Sequence, residues 1–424
     1  MSIYEPDKVL ELMNVKPKEK EKKENGEVFT PLYLVNEMLD QLDHAYTEEH
    51  GKSIFSEPHL KWFDPAAGIG NFPFVVYQRL MNGLNIPDRR KHILEQMIYA
   101  AELNPKNVLM YKTIFDGDKY KLHIYEGDSL KMDLQRFDVV MGNPPYNASG
   151  CINTGRTIWQ HFTRKSMNEW VNGYLLFVHP PGWRKPTNKK GKFYGLYNLM
   201  CIENQMLYLE IHGLKDGQKT FNCETRYDWF LIQKKTQYKN TVIIDEDGNK
   251  NEINLREWSW LPNSQFLEIK QLLANQESCP ILYSSSAYGS DKKWMSKTDE
   301  FKYPCIHSTP KSGIRYMYSK VNDRGHFGVS KVIFGETRHR HPYGIYNPVI
   351  DMEGKYGMTQ GAMAIKVDTL EEAISISKFI ESNTFSKILR SSSFQCLGLI
   401  GNFSRNLKKI FGLKKILDVK VNVA

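Results

Sequence analysis

At 424 residues the chain is too long for one ordinary domain, so two are expected. An apolar content of 41%, with 12% aromatic residues, is enough for a sizeable core, and a net charge of +9 is compatible with a nucleic-acid partner. Six cysteines, none in a Cys-x-x-Cys pair, argue against a zinc site or a disulfide framework, and no apolar run approaches a membrane span.

Residues 1–25 are polar, with a mixed Lys and Glu run over 16–25. They read as a solvated lead-in without a signal peptide, so a cytoplasmic protein is expected. Gly26-Glu27-Val28-Phe29-Thr30-Pro31 comes next, before the first strand. Residues 61–72, Lys-Trp-Phe-Asp-Pro-Ala-Ala-Gly-Ile-Gly-Asn-Phe, read as a short strand, a glycine turn and a helix through about Met81. Glycines in such a turn let backbone approach a ligand closely. The turn is not the dinucleotide fingerprint, since only Gly68 and Gly70 match and Phe72 lies near the third glycine's place. No Lys-Ser or Lys-Thr follows, which argues against a phosphate loop.

The second strand ends Tyr99-Ala100-Ala101-Glu102, before Leu103-Asn104-Pro105. A carboxylate there suits a ribose diol, because it can accept from two hydroxyls. A third strand, Leu122–Tyr125, runs into Glu126-Gly127-Asp128-Ser129. The fourth, around Val139-Val140-Met141, stops at Asn143-Pro144-Pro145-Tyr146, where two prolines cannot extend a ladder. Pro144 biases Asn143 toward extended backbone, so the Asn143 amide and the Pro144 carbonyl can project together. Two such acceptors can take both hydrogens of an exocyclic NH2 group while Tyr146 offers a stacking face. Four successive strand ends therefore carry Asp64, Glu102, Asp128 and Asn143, all on the carboxyl edge of one parallel sheet.

That order and spacing resemble the S-adenosylmethionine-dependent amino-methyltransferases of DNA. The glycine motif with its upstream Phe29-Thr30-Pro31 is most similar to the gamma-class adenine-N6 group, over roughly residues 26–235. The resemblance implies a Rossmann-like α/β methyltransferase domain with a mostly parallel seven-stranded sheet, and a C-terminal α+β target-recognition domain. It implies S-adenosylmethionine as cofactor and double-stranded DNA as substrate, methylated at N6 of a flipped adenine, in or near a restriction–modification system. It places Thr30 and Pro31 at the methionine end, Asp64, Gly68 and Gly70 on the amino-acid moiety, and Glu102 on the ribose. Leu103 and Phe162 would sandwich the adenine, and Asp128 would accept from its amino group. Phe29, Ala66, Asn71, Phe72, Ser129, Asn143 and Pro145 complete the cofactor site that the resemblance implies. Phe162 reads equally as a core residue of an amphipathic helix. Phe221, before the strand Tyr227–Ile232, sits where the family places a second aromatic against the base, and reads equally as an ordinary loop aromatic.

The chemistry needs no strong base. An aromatic amine is a poor nucleophile, and two acceptors on its hydrogens bias the nitrogen toward a pyramidal geometry while stabilising the charge that develops. Asp138 is therefore expected to orient its strand, not to take a proton. A base inside a duplex cannot reach such a pocket unless it is rotated out of the helix. His179-Pro180-Pro181-Gly182-Trp183, after the strand Tyr174–Val178, is expected to shape the pocket rim.

The catalytic domain is expected over 26–245 and a target-recognition domain over 246–424. A hairpin is expected at Val242–Asp245, Asp247-Gly248-Asn249 and Ile253, with strands near Ile281–Tyr283 and Val332–Phe334 and a helix over about Leu370–Arg390. Basic residues among aromatics suit phosphate and base-edge contacts: Lys292, Lys293, Arg315, and above all Arg338, His339, Arg340 and His341. The Lys-rich stretch 408–415 reads as the polar face of a terminal helix.

Four alternatives share some of these features. Release-factor-type protein glutamine methyltransferases also use Asn-Pro-Pro-Tyr, though without the Phe-Thr-Pro element and the long basic second domain. Cytosine-N4 methylation is chemically close. A combined restriction–modification enzyme is another alternative, with Glu268-Ile269-Lys270 as the one nuclease-like fragment of the chain, and a separate cognate restriction endonuclease is an expected partner. A non-catalytic DNA-binding module would keep the fold and bind cofactor without turnover.

Overall fold

The computed structural model describes residues 29–148, 157–184, 191–258, 260–272, 281–283, 291–335 and 344–391, with Val9, Met13 and Lys189. The chain divides into two compact units, Met1–Leu261 and Pro262–Ala424.

The first unit begins its described course with α1 (Leu32–His50), which starts directly after Pro31; a residue without an N–H costs nothing where no helical acceptor exists. Then come β1 (Trp62–Asp64), α2 (Asn71–Gly83), β2 (Ile98–Glu102), α3 (Pro105–Ile114), β3 (His123–Glu126) and β4 (Phe137–Gly142). After these follow α4 (Trp159–Lys165), β5 (Val171–His179), α5 (Leu196–Cys201), β6 (Gln205–His212), α6 (Leu214–Phe221), β7 (Tyr227–Gln233), β8 (Thr241–Ile244) and β9 (Lys250–Ile253). The strands form one sheet in the order β3-β2-β1-β4-β5-β7-β6-β8-β9. From β3 to β5 every pairing is parallel. β7 runs antiparallel to both β5 and β6, β8 is parallel to β6, and β9 closes the sheet as an antiparallel hairpin.

The sheet is thus mixed and nine-stranded, not the mostly parallel seven-stranded sheet expected. The two extra strands explain why the first unit extends to Leu261, and not to the expected residue 245. The hairpin folds as its turn chemistry implies: Gly248 has φ 82°, and the Asp245 carboxylate accepts from the Asp247 and Asn249 amides at 3.0 and 2.9 Å. Its outer partner is β6, through Tyr208 opposite Val242.

Parallel central strands covered on both faces need continuous apolar runs, and β1, β2 and β4 supply them. Trp62, Phe63, Ala100, Val139, Val140 and Met141 are all buried. Leu34, Val35, Met38 and Leu39 of α1, with Phe74, Val75 and Val76 of α2, join Trp62, Val139 and Met141 in one core. On the other face Phe63 stacks on Phe137 at 4.3 Å and meets Trp170 edge-on at 5.4 Å. Each such side chain contributes about 1.5–3 kcal/mol by leaving water, so the strand ends project from a rigid frame. Asp138 serves that frame: its carboxylate accepts from the Lys61 amide at 2.8 Å, pinning the starts of β1 and β4.

The second unit contains α7 (Phe266–Leu272) and the strands β10 (Ile281–Tyr283), β11 (Met295–Ser296), β12 (Tyr303–Ser308), β13 (Arg315–Ser319), β14 (Lys331–Gly335), β15 (Val349–Asp351), β16 (Gly357–Met358) and β17 (Ala362–Lys366). Two four-stranded sheets form, ordered β10-β17-β14-β15 and β11-β13-β12-β16. Two helices follow, α8 (Leu370–Ile380) and α9 (Asn383–Ser391), in place of the single helix expected. Ile306, Ile333, Met358, Ala362 and Ala364 form a small buried core. Lys331 is fully buried and bonded to Asp351 at 2.8 Å.

Among the described residues no helix is long and apolar enough to cross a membrane.

Candidate active site at the carboxyl edge of the first sheet

Asp64 closes β1 and is 2% exposed. Its Oδ1 accepts from the Ala66 amide at 3.0 Å. Burial pushes this carboxyl up to about 8, the Glu102 charge adds to the rise, and the Ala66 hydrogen bond opposes it. In the turn that follows, Gly68 and Gly70 take φ 57° and 100°. A β-carbon on Gly68 would meet Phe29 at 2.9 Å, and one on Gly70 would meet Phe115 at 2.8 Å. Glycine is required at both positions, by backbone angle and by space.

Glu102 closes β2 and ties three segments together. Its carboxylate accepts from the Gly68 amide and the Asn104 amide, both at 2.8 Å, and from Asn107 Nδ2 at 3.4 Å. Asn104 then caps α3 by accepting from the Lys106 amide, with Pro105 at the first helical position. Beyond β3, the Gly127 amide donates to the Glu102 carbonyl at 2.9 Å. Asp128 accepts from the Leu130 amide at 3.1 Å, and the Ser129 hydroxyl donates to the Pro65 carbonyl at 2.7 Å. Asp64, Glu102 and the 127–129 turn are therefore one hydrogen-bonded edge.

Thr30 and Asn71 meet beside the turn, where Asn71 Nδ2 donates to the Thr30 carbonyl at 2.9 Å. Both side chains are buried, and neither Thr30 Oγ1 nor Asn71 Oδ1 has a hydrogen-bond partner among the described residues. A buried polar group left unsatisfied costs about 1–3 kcal/mol, so two together mark a place built for a polar ligand.

At the end of β4 the Asn143 side-chain oxygen is buried. The Tyr146 carbonyl accepts from the Ile158 amide at 3.1 Å, and Asn147 bridges Thr157, which fastens the segment after the prolines to the start of α4. Burial drives the Tyr146 hydroxyl well above the usual tyrosine range, so it stays protonated.

Several expected residues sit in surroundings of their own. Leu103 is 59% exposed, open to a planar ligand, whereas Phe162 is buried in α4. Phe221 is not in a loop: it is the last residue of α6, buried edge-on against Tyr227 at 4.8 Å. His179, Pro181 and Trp183 are buried, with Pro180 and Gly182 half-buried between them. His179 stacks on Trp159 at 4.3 Å, and burial lowers its pKa to about 3, leaving it neutral. Trp183 Nε1 and the Arg184 guanidinium both bond the buried Asp228, at 3.0 and 2.8 Å. That buried arginine had no sequence signal.

In the second unit Arg315 opens β13 and is exposed, and Lys292 and Lys293 lie in the turn before β11. Arg338, His339, Arg340, His341 and residues 408–415 lie outside the described residues. Glu268-Ile269-Lys270 is part of α7 with Ile269 fully buried, and no metal-binding cluster occurs among the described residues.

Comparisons with known proteins agree with the motif reading. Residues 8–179 match the family model described as N-6 DNA Methylase. An uncharacterised adenine-specific methylase of Mycoplasma pneumoniae is 38% identical over a 241-residue alignment, taking in 38% of this chain and 56% of that protein. The chain thus spans about half the length of this curated relative. Among solved structures, the Type IIL restriction-modification enzyme MmeI in complex with DNA is similar at TM-score 0.52 and 12% identity, over 92% of this chain and 68% of that one. A nuclease-deletion mutant of the Type ISP restriction-modification enzyme LlaGI, in complex with a DNA substrate mimic, gives TM-score 0.53 and 11% identity, over 91% and 45% of the two chains. At such identities these two likenesses speak to fold.

Proposed function

We propose, with the N-6 DNA methylase match over residues 8–179 as premise, that this chain transfers a methyl group to N6 of a flipped adenine in double-stranded DNA. The observation that carries the reading is the shared edge: Asn143 ends a strand directly beside the one ending in Asp64, which is followed by the turn that Glu102 holds.

S-adenosylmethionine fits the residues present. The orphan oxygens of Thr30 and Asn71 suit an ammonium group, the glycine turn allows close backbone approach, and the Glu102 carboxylate at the end of β2 is the acceptor type that a ribose diol needs. Phe29, Pro31, Ala66, Phe72, Leu103, Asp128, Ser129 and Phe162 would surround the rest. When bound, the cofactor supplies a methyl group on a positively charged sulfur. Asn143 Oδ1 and the Pro144 carbonyl accept the two amine hydrogens of the base and stabilise the charge developing on nitrogen. Pro145 holds the turn, and Tyr146 stacks on the ring. Holding the amine in line with the methyl group supplies most of the remaining rate enhancement.

The second unit would read DNA sequence, with Lys292, Lys293, Arg315 and the Arg338–His341 segment on phosphates and base edges. A cognate restriction endonuclease would act on the same sequence. The test is to sequence modified bases in DNA from cells expressing this chain, beside cells expressing Asn143→Ala. N6-methyladenine at one short sequence, lost in the variant, is expected. Unmodified DNA together with methylated glutamine on a protein substrate would overturn the reading.

A further inference from the structure

The positive charge of the chain is not spread evenly. The first unit carries 34 Lys and Arg against 34 Asp and Glu, and the second 23 against 14, so the whole excess of +9 belongs to Pro262–Ala424. Duplex DNA holds one negative charge per roughly 1.7 Å of its axis, so it is the second unit that attracts such a partner.

Within that unit, strand pairing brings residues that are distant in sequence to one face of the sheet β11-β13-β12-β16. Met295 and Tyr303 both lie opposite Ser319, and Cys305 lies opposite Met317. Alternation along β13 puts Arg315, Met317 and Ser319 on the same side. Met295, Cys305 and Met317 form a small buried cluster there, with Trp294 and Phe327 packed against it. Arg315 continues this face as an exposed cation, and exposed Lys293 adjoins Trp294 in the turn before β11.

Arg324 stands over Trp294, with its guanidinium carbon 5.5 Å from the ring centroid and half of its side chain exposed. The Asp323 carboxylate is 3.9 Å from its Nε, beyond hydrogen-bond reach. The backbone on both sides is fixed. Ser319 Oγ donates to the Val321 carbonyl at 2.7 Å and accepts from the Val321 amide at 3.1 Å, while the Gly325 carbonyl accepts from the Met358 amide at 2.9 Å. A guanidinium resting on an indole held this way has little freedom left to lose when its N–H fork meets a partner.

We propose that Arg324 is a specificity-determining residue: its guanidinium donates two hydrogen bonds to the edge of a guanine in the target duplex. Trp294 is the positioning residue that holds it, and Lys293 and Arg315 contact phosphates on the same face. The inference rests on the reading of the chain as a DNA methyltransferase, and it says which surface of the second unit reads the sequence.

The test is modified-base sequencing of DNA from cells expressing the full chain or a variant, followed by binding of the purified proteins to the mapped duplex and to duplexes with single base-pair changes. Arg324→Lys keeps the charge and loses the planar fork. It is expected to relax the methylated sequence at one G·C position, where discrimination falls by about ten- to a hundredfold. Trp294→Leu lowers discrimination at that same position by a smaller factor, and Trp294→Phe, which keeps a ring, restores most of it. Lys293→Ala and Arg315→Ala weaken binding to every duplex alike, and each lowers the slope of log affinity against log salt by about one. An unchanged sequence preference in Arg324→Lys would overturn the inference. So would a loss in Arg324→Ala that is uniform over all duplexes, which marks a phosphate contact, or unaltered binding in both Lys293→Ala and Arg315→Ala. Should Trp294→Leu not fold, the variants of exposed Arg324 decide alone. Wild-type protein that leaves DNA unmethylated would instead sink the methyltransferase reading, and this inference with it.

Discussion

A β-carbon on Gly142 would stand 2.7 Å from Oδ1 of Asp64, so the residue before Asn143 can have no side chain while Asp64 keeps its place. Gly142 also takes φ 148°, a backbone angle that other residues rarely adopt. Gly142→Ala is expected to push Asp64 or Asn143 aside, at a cost of about 1–3 kcal/mol in stability and at least roughly tenfold in methyl transfer. Thermal unfolding and a methylation assay read the two effects. A variant normal in both would show that the two strand ends are not sterically coupled.

Asn143→Ala removes one of the two acceptors assigned to the amine hydrogens. By analogy with losing one preorganised partner of a developing charge, the rate should fall about 10²–10³-fold or more. Cofactor affinity, which the proposal assigns to the Thr30, Asn71 and Glu102 side, should change little. Single-turnover kinetics and calorimetric titration of the cofactor separate the two. A near-normal rate removes Asn143 from the chemistry.

The strand ends of this site were legible because each is announced locally: glycines that nothing else can replace, a carboxylate, a proline pair. The apolar runs Val139–Met141 and Leu175–Val178 gave their strands for the same reason. β6 is absent from the expected strands although it alternates buried Leu207, Leu209 and Ile211 with half-buried Tyr208, Glu210 and His212, the period of a half-buried strand. The 241–253 hairpin is legible, but its pairing with β6 depends on contacts more than thirty residues away in sequence, so the expected boundary at 245 cuts between its two strands. The helix that carries Phe221 is hard to read from sequence, because a glycine at 217 and an asparagine at 222 are turn-formers. Gly217 instead sits inside α6, where a β-carbon would strike the Thr225 carbonyl, and Asn222 closes the helix with φ 54°.

The pH dependence of stability follows from Asp64. Its carboxyl is raised from 3.8 to about 8 in the folded protein, chiefly by burial. Between those values the folded state holds a proton that the unfolded state has released. Stability from this group is therefore full below pH 3.8, declines as pH rises, and is lost once pH passes about 8. Asp64→Asn should flatten that decline, making the variant relatively more stable at alkaline pH than at acid pH. Urea unfolding across the range checks it; parallel profiles for the two proteins would mean that Asp64 is ionised in the fold.

Arg184 and Asp228 form an ion pair with both side chains 0% exposed, and Arg184 also donates to the Leu261 carbonyl at 3.2 Å. Burial raises the Asp228 pKa and the arginine opposes that rise, so the carboxylate depends on its partner. Arg184→Met leaves a buried acid unpaired, and a loss of about 3–5 kcal/mol is expected, deepening as pH rises because the stranded carboxyl must then keep its proton. Arg184→Met combined with Asp228→Asn removes both charges while an amide oxygen can still accept from Trp183. The double variant should recover much of that stability in urea unfolding at neutral pH. A double variant no more stable than the single one would show that Arg184 acts through its shape and its bond to Leu261, and not through its charge.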